Sequence, residues 1–181
     1  MSEQLSKTAL ILWKTLYYLL QFALRISAKK ILKKRLRMQK EHPERWREKL
    51  GETNRIRPQG ELIWLHAVGL GEVMALRGLI SIISHNKPNI NFLVTSGTVQ
   101  SAELFSQNLP VNTTHQFIPF DVHKFRQSFL SRWKPNLVIW SEQEIWPGFV
   151  NDCTKLKIPQ VWVNARICLL YTSDAADDGL S

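Results

Sequence analysis

Three carboxylates stand where a strand is expected to give way to a helix. A carboxylate so placed can take the proton from a hydroxyl as a new bond forms to its oxygen. Glu72 closes the stretch WLHAVGLGEV, Trp64 to Val73, an apolar run that stops at a Gly-flanked turn. Glu142 and Glu144 follow LVIW in SEQEIWPGF, Ser141 to Phe149. In a parallel α/β sheet the carboxyl ends of the strands line the ligand crevice, so both segments are expected to set carboxylates on one edge. Glu72 has a plainer reading beside this one: in the first turn of a helix its charge stabilises the positive end of the dipole by ~0.3–1 kcal/mol. Glu142 and Glu144 are two residues apart and point to opposite sides of an extended chain. Glu142 is therefore expected to face the ligand and Glu144 to cap the next helix.

Smaller groups surround these acids. Gly69 and Gly71 leave two backbone amides unobstructed in the turn, where they can meet an anionic group. The TSGT turn, with Thr95, Ser96 and Thr98, offers hydroxyls and amides at a helix start, which suit a phosphate or a sugar hydroxyl. Thr98 alone could also serve as a plain N-cap. Arg166 follows the last expected strand and could face a phosphate or make a surface ion pair, and His66 reads as a buried strand-end residue holding the turn. A Pro147 in the first helical turn with Trp146 packed beneath it is ordinary helix-start chemistry. Cys153 and Cys168 lie in different segments without CxxC spacing or a paired His, so neither a disulfide framework nor a zinc site is expected. The GxGxxG dinucleotide fingerprint and the P-loop are both absent.

The elements that must position these residues alternate. Short apolar runs at Leu62 to Ala67, Asn91 to Thr95, His115 to Ile118, Leu137 to Trp140 and Gln160 to Val163 read as strands. Between them, Glu72 to Ser84, Val99 to Gln107, Val122 to Trp133 and Glu144 to Leu156 carry helical spacing. The alternation predicts βαβ units and a Rossmann-like parallel sheet in an α/β domain over residues 61–167. A chain of 181 residues is long enough for one such domain with a real core.

The net charge of +9 is concentrated at one end: residues 1–60 hold 15 Lys/Arg against 5 Asp/Glu, while residues 61–181 hold 9 against 10. Leu5 to Ile26 is apolar and aromatic, but Lys7, Lys14 and Arg25 interrupt it, which leaves no clean span of ~18–20 uncharged residues for a transmembrane helix. An interfacial helix fits better, with the following run KKILKKRLRMQK, Lys29 to Lys40, set against anionic headgroups at about 1 kcal/mol per cation. Residues 1–40 are thus expected to form a membrane-associated basic helix, on the cytoplasmic side by the positive-inside rule. The basic run contains no aromatic residue of the kind that stacks on bases, which counts against a nucleic-acid partner. Residues 41–60 read as a short helix ended by Gly51, followed by a linker.

WLHAVGLGE, the IPFD of Ile118 to Asp121, SEQEIWPGF and the NAR of Asn164 to Arg166 together resemble the bacterial Kdo (3-deoxy-D-manno-octulosonic acid) transferases, in order and in spacing. The resemblance runs from the N-terminal helix to about Arg166 and covers the N-terminal, acceptor-side half of a two-domain GT-B glycosyltransferase. It implies metal-independent, inverting transfer of Kdo from CMP-Kdo to a lipid A precursor, in lipopolysaccharide biosynthesis at the cytoplasmic face of the bacterial inner membrane. It also implies that Glu72 is the catalytic base and that CMP-Kdo is held by a missing C-terminal half, with no cofactor, so that the fragment alone is inactive. Gly69 stands where the family usually has Ser, Gly148 where it has Asn, and Gln100–Ser101 where it commonly has Thr-Gly. After Ile167 the string CLLYTSDAADDGLS departs from the family and resembles read-through of a sequencing adapter, so residues 168–181 are expected to be foreign and, being acidic and polar, disordered. A reading from another class is a membrane-anchored, non-catalytic α/β binding module.

Overall fold

The computed structural model describes residues 2–141 and 146–163. Five strands form one sheet: β1 Leu62–His66, β2 Asn91–Ser96, β3 Thr113–Phe117, β4 Leu137–Ser141 and β5 Gln160–Val163. All neighbours are parallel and the order is β3-β2-β1-β4-β5. The connections are helices α2 Leu70–Asn86, α3 Val99–Gln107, α4 His123–Trp133 and α5 Pro147–Lys155. The α/β architecture and parallel sheet expected from the alternating pattern are therefore present.

Two-residue periodicity divides the core between the two faces of the sheet. Leu62 and Trp64 of β1 point to one face, where Trp140 of β4, Phe129 and Trp133 of α4 and Phe149 of α5 close over them. Ile63 and Leu65 point to the other, against Val73, Leu76 and Ile80 of α2 and Phe105 of α3. Helices thus cover both faces, and every residue of β1 is buried, as expected of a central parallel strand. Burying a large aromatic such as Trp64 contributes both area and edge-to-face contacts, here with Trp140 at 5.0 Å and Phe149 at 5.3 Å between ring centroids.

A third cluster seats the N-terminal helix, α1 Ser2–Arg37. Ala28 and Leu32 of α1 are fully buried against Trp46, Leu50, Val122 and Phe125. Further toward the N-terminus the same helix exposes Leu16, Tyr18, Leu19, Leu20, Phe22 and Ile26. Among the described residues no helix is long and apolar enough to cross a membrane. The segment after α1 forms a short 3-10 helix, Trp46–Leu50, capped by Gly51 at φ +74°. A Cβ at residue 51 would lie 2.5 Å from the Phe125 carbonyl oxygen, so both the backbone conformation and the close approach require glycine there.

Candidate active site

Because the strands are parallel, His66, Ser96 and Ser141 all end at one edge of the sheet. The chain winds outward from β1 in one direction to β2 and β3, and in the other to β4 and β5. The switch of direction between β1 and β4 opens a crevice at that edge. Its two sides are the turn after β1, residues 67–71, and the start of α5.

The first side is built as follows. Ala67 N–H donates to the Thr95 carbonyl at 3.2 Å, which ties the turn to β2. Gly69, extended at φ −78° and ψ 162°, is the N-cap of α2. Glu72 occupies the third helical position and folds back, so that Gly69 N–H donates to its Oε2 at 2.6 Å. This is one half of a capping box, whose other half needs a side chain that glycine lacks. Glu72 is half-buried and Gly71 exposed, and a Cβ on Gly71 would meet nothing within 4 Å.

Beneath the turn, His66 is enclosed, and its Nδ1 lies 2.8 Å from Thr95 Oγ1. Trp64 Nε1–H also donates to Thr95 Oγ1, at 2.8 Å. Thr95 is fully buried with its hydroxyl engaged twice, so it braces the floor of the crevice rather than offering a free group to a ligand. Burial pushes the His66 imidazole down to about 4, against a smaller upward effect of its Thr95 backbone contact, so the ring is neutral at pH 7. The expectation of a buried histidine holding the turn describes this residue. Its Nε2 is buried without a hydrogen-bond partner, beside the rings of Trp140 and Trp146 at 5.9 and 5.7 Å.

Ser96 is also fully buried, with its Oγ 2.9 Å from His115 Nε2. A serine beside a histidine invites comparison with a nucleophile and its base, but the wiring runs the other way. Arg45 Nη2 lies 3.0 Å from His115 Nδ1, and a guanidinium only donates. The same Nη2 also lies 2.9 Å from Glu48 Oε2 and 3.0 Å from the His115 carbonyl, so its two hydrogens serve three acceptors. In the tautomer whose Nδ1 accepts, Nε2 carries the ring proton and donates it to Ser96, and the ring takes no proton from that serine. Burial, reinforced by the Arg45 and Arg55 charges, pushes His115 down to about 3 and keeps it neutral. Thr98 accepts a hydrogen bond from Ser101 N–H at 3.1 Å as the N-cap of α3.

A strut of buried charges holds this turn from below. Lys49 Nζ donates to the Gly97 carbonyl at 3.0 Å and pairs with Glu41 at 2.6 Å, and Glu41 in turn pairs with Arg35 of α1 at 2.5 Å. Glu48 accepts from Phe117 N–H at 2.7 Å and pairs with Arg45 at 2.9 Å. None of these residues stands out in the sequence, where Arg35 falls in the basic run and Glu41, Arg45, Glu48 and Lys49 in the short helix that follows it. The signal that could have found them is the mixture of acids and cations just before the domain begins.

On the second side of the crevice, Trp146 is the N-cap of α5, without a side-chain cap, and Pro147 takes the first helical position. Gly148 N–H donates to Asp121 Oδ2 at 3.0 Å, which gives the IPFD aspartate a role in placing α5. Arg126, only 4% exposed, joins Asp121 at 3.0 Å to Asp152 at 2.7 Å. A Cβ at residue 148 would lie 2.2 Å from Asp121 Oδ1 and 2.3 Å from Arg126 Nη1. Glycine is the residue that lets this backbone approach the ion cluster. Gln21 of α1 completes the joint, accepting from His123 N–H at 3.1 Å and donating to the Asp121 carbonyl.

The expected site residues are thus divided. Gly69, Gly71, Glu72, Thr95, Ser96 and Thr98 come together around the ends of β1 and β2. Glu142, Glu144 and Arg166 lie outside the described residues. Among the described residues no group of three or more His, Cys, Asp or Glu could hold a metal ion. Cys153 is buried beside Asp152, and burial followed by that charge pushes its thiol up to about 12, which makes it inert.

Comparison with known proteins places this geometry. Residues 44–169 match the family model described as 3-deoxy-D-manno-octulosonic-acid transferase (kdotransferase). The chain belongs to that family. Among its relatives, a probable mitochondrial 3-deoxy-D-manno-octulosonic acid transferase of Arabidopsis thaliana is 41% identical over 127 residues, covering 70% of this chain and 28% of the relative. The 3-deoxy-D-manno-octulosonic acid transferase of Rickettsia bellii is 40% identical over 152 residues, covering 84% of this chain and 36% of the relative. That of Rickettsia typhi is 46% identical over 106 residues, 59% of this chain and 23% of the relative. The chain therefore spans about a quarter to a third of the length of these family members.

Proposed function

We propose that this chain is the acceptor-side, N-terminal domain of a GT-B glycosyltransferase that moves Kdo from CMP-Kdo onto a lipid A precursor in lipopolysaccharide biosynthesis. The observation that carries the reading is Glu72, held on the first turn of α2 at the switch-point edge of the sheet, within the segment that matches the family. Glu72 takes the proton of an acceptor hydroxyl, the hydroxyl oxygen bonds to the anomeric carbon of Kdo, and CMP departs with the electrons of the broken glycosyl–phosphate bond. Attack from the face opposite the leaving group inverts the anomeric centre. The amides of Gly69 and Gly71 and the Thr98 turn line the acceptor side, with Glu142, Glu144 and Arg166 contributing from beyond the described residues. CMP-Kdo binds to a C-terminal domain outside this chain, and no metal or cofactor takes part. The direct test is to join the chain in frame to the C-terminal domain of a family member and assay transfer from CMP-Kdo. Turnover by the joined protein and none by the chain alone is expected; turnover by the chain alone would overturn the two-domain reading.

The same reading sets α1 on the cytoplasmic face of the inner membrane. Its support is the exposed apolar surface from Leu12 to Ile26, continued by the exposed cations Lys29, Lys30, Lys33, Lys34 and Arg37. A cleft of about 690 Å³, lined among others by Tyr17, Tyr18, Gln21, Asn151 and Lys155, lies between this helix and α5, within reach of a head group emerging from the bilayer. The back half of α1 packs on the domain, so deleting residues 1–40 would strip Ala28 and Leu32 from a core cluster. Point changes are the cleaner probe. Leu16→Gln, Leu20→Gln and Ile26→Gln together are expected to weaken binding to phosphatidylglycerol-containing vesicles more than tenfold, since burying each such side chain contributes about 1.5–3 kcal/mol. Binding of the unaltered chain should also weaken with added salt. Equal vesicle binding by the triple variant would remove the membrane role of this surface.

A further inference from the structure

The carboxylate of Glu72 sits in the notch left by the missing side chain of residue 69. A Cβ built on Gly69 would lie 2.6 Å from Glu72 Oε1, 3.0 Å from Oε2 and 3.0 Å from the carboxyl carbon. Its backbone, at φ −78° and ψ 162°, is open to any residue, so this glycine answers no conformational need of its own chain. Gly78, further along α2, makes the contrast: a Cβ there would meet nothing within 4 Å. The three heavy atoms nearest to a Cβ at residue 69 all belong to the Glu72 carboxylate.

We propose that residue 69 is a positioning residue for Glu72: glycine leaves the space in which the carboxylate lies back over the helix cap, and a Cβ there displaces the carboxylate from that seat toward the crevice. The inference rests on the reading of Glu72 as the base. In the withdrawn position Oε2 is held by the Gly69 N–H, and a hydroxyl must compete with that amide for the same oxygen. Swinging the carboxylate out breaks this bond, and the freed amide then faces the turn as a donor for a ligand oxygen. Gly69 therefore makes the resting state of the base less available, and its replacement shifts the balance toward the extended state.

The chain itself can report the seating. Its exposed and half-buried carboxylates react with a water-soluble carbodiimide and an amine, and peptide mass spectrometry gives the rate at Glu72 relative to the exposed Glu103. Gly69→Ala and Gly69→Ser are expected to raise the relative rate at Glu72 several-fold, and Gly78→Ala to leave it unchanged. Amide exchange at residue 69 should quicken in both Gly69 variants, as its acceptor moves away. In the protein joined to a C-terminal domain, kcat for transfer from CMP-Kdo should rise about tenfold in Gly69→Ser with KM little changed, since a hydrogen bond to a charged acceptor no longer has to be broken first. Unchanged labelling in both Gly69 variants, or a fall in kcat, would overturn the proposal. If instead labelling rises but Glu72→Gln still turns over, residue 69 positions Glu72 as stated and the reading of Glu72 as the base is what fails.

Discussion

Glu72→Gln, in the chain joined to a family C-terminal domain, is expected to lower turnover by about 10²- to 10⁴-fold, the usual cost of losing a general base. The substitution keeps the size of the side chain and keeps an oxygen able to accept from Gly69 N–H, so the cap of α2 survives. What it removes is the capacity to take a proton and a negative charge at the helix start. The second loss alone costs at most about 1 kcal/mol of stability. Turnover and thermal unfolding of the same variant therefore separate the two roles that Glu72 can play. A lowered melting temperature with near-normal turnover would make Glu72 a capping residue, and the base would have to be sought at Glu142 or Glu144. The non-catalytic binding module would then gain ground, because it asks nothing of Glu72 beyond the cap seen here.

The legibility of this fold from sequence follows the physics of each element. β1, buried along its whole length, reads as a short, continuous apolar run and ends one residue earlier than that run, while β5, a partly exposed edge strand, spans the expected Gln160 to Val163. Helix α3 has the expected bounds because Thr98 marks its start chemically and its apolar spacing stops at Gln107. Helix α5 begins at Pro147 rather than at Glu144, since proline sets the first helical position and the residue before it is driven out of helical geometry. The site was less legible. Its turn could be found because glycines and a carboxylate follow an apolar strand, a pattern confined to ten residues. Thr95 looked free because nothing local shows that Trp64 and His66, on the neighbouring strand, reach across to its hydroxyl. The strut of Arg45, Glu48, Lys49 and His115 depends on contacts between residues up to 70 positions apart, which no local pattern records. Gly148 looked like a lost side chain and proves to be a close approach between the α5 backbone and the Asp121–Arg126 pair.

Acid should destabilise this domain from about pH 6.5 downward, because His66 and His115 are both folded in neutral form at one edge of the sheet. Each has an ordinary value of 6.5 in the unfolded chain, against about 4 for His66 and about 3 for His115 in the fold. Above pH 6.5 neither state binds a proton at these rings, and the native contribution is fully present. As pH falls through 6.5 the unfolded chain takes up two protons that the folded chain refuses, so stability drops by up to about 1.4 kcal/mol per histidine per pH unit. The accumulated loss reaches about 4 kcal/mol by pH 5, a large part of the ~5–15 kcal/mol that holds an ordinary domain together. The loss from His66 levels off near pH 4 and that from His115 near pH 3, where the folded rings also protonate. Urea unfolding between pH 7.5 and 5 measures the slope directly. His115→Gln should flatten it by about one proton, and adding His66→Asn should flatten it further, even if both variants are less stable at pH 7. A wild-type stability that stays constant from pH 7 to pH 5 would show that these rings accept protons in the folded state. In that case His115 would be an imidazolium in the fold, with both ring nitrogens donating, and the Arg45 guanidinium could not be donating to its Nδ1.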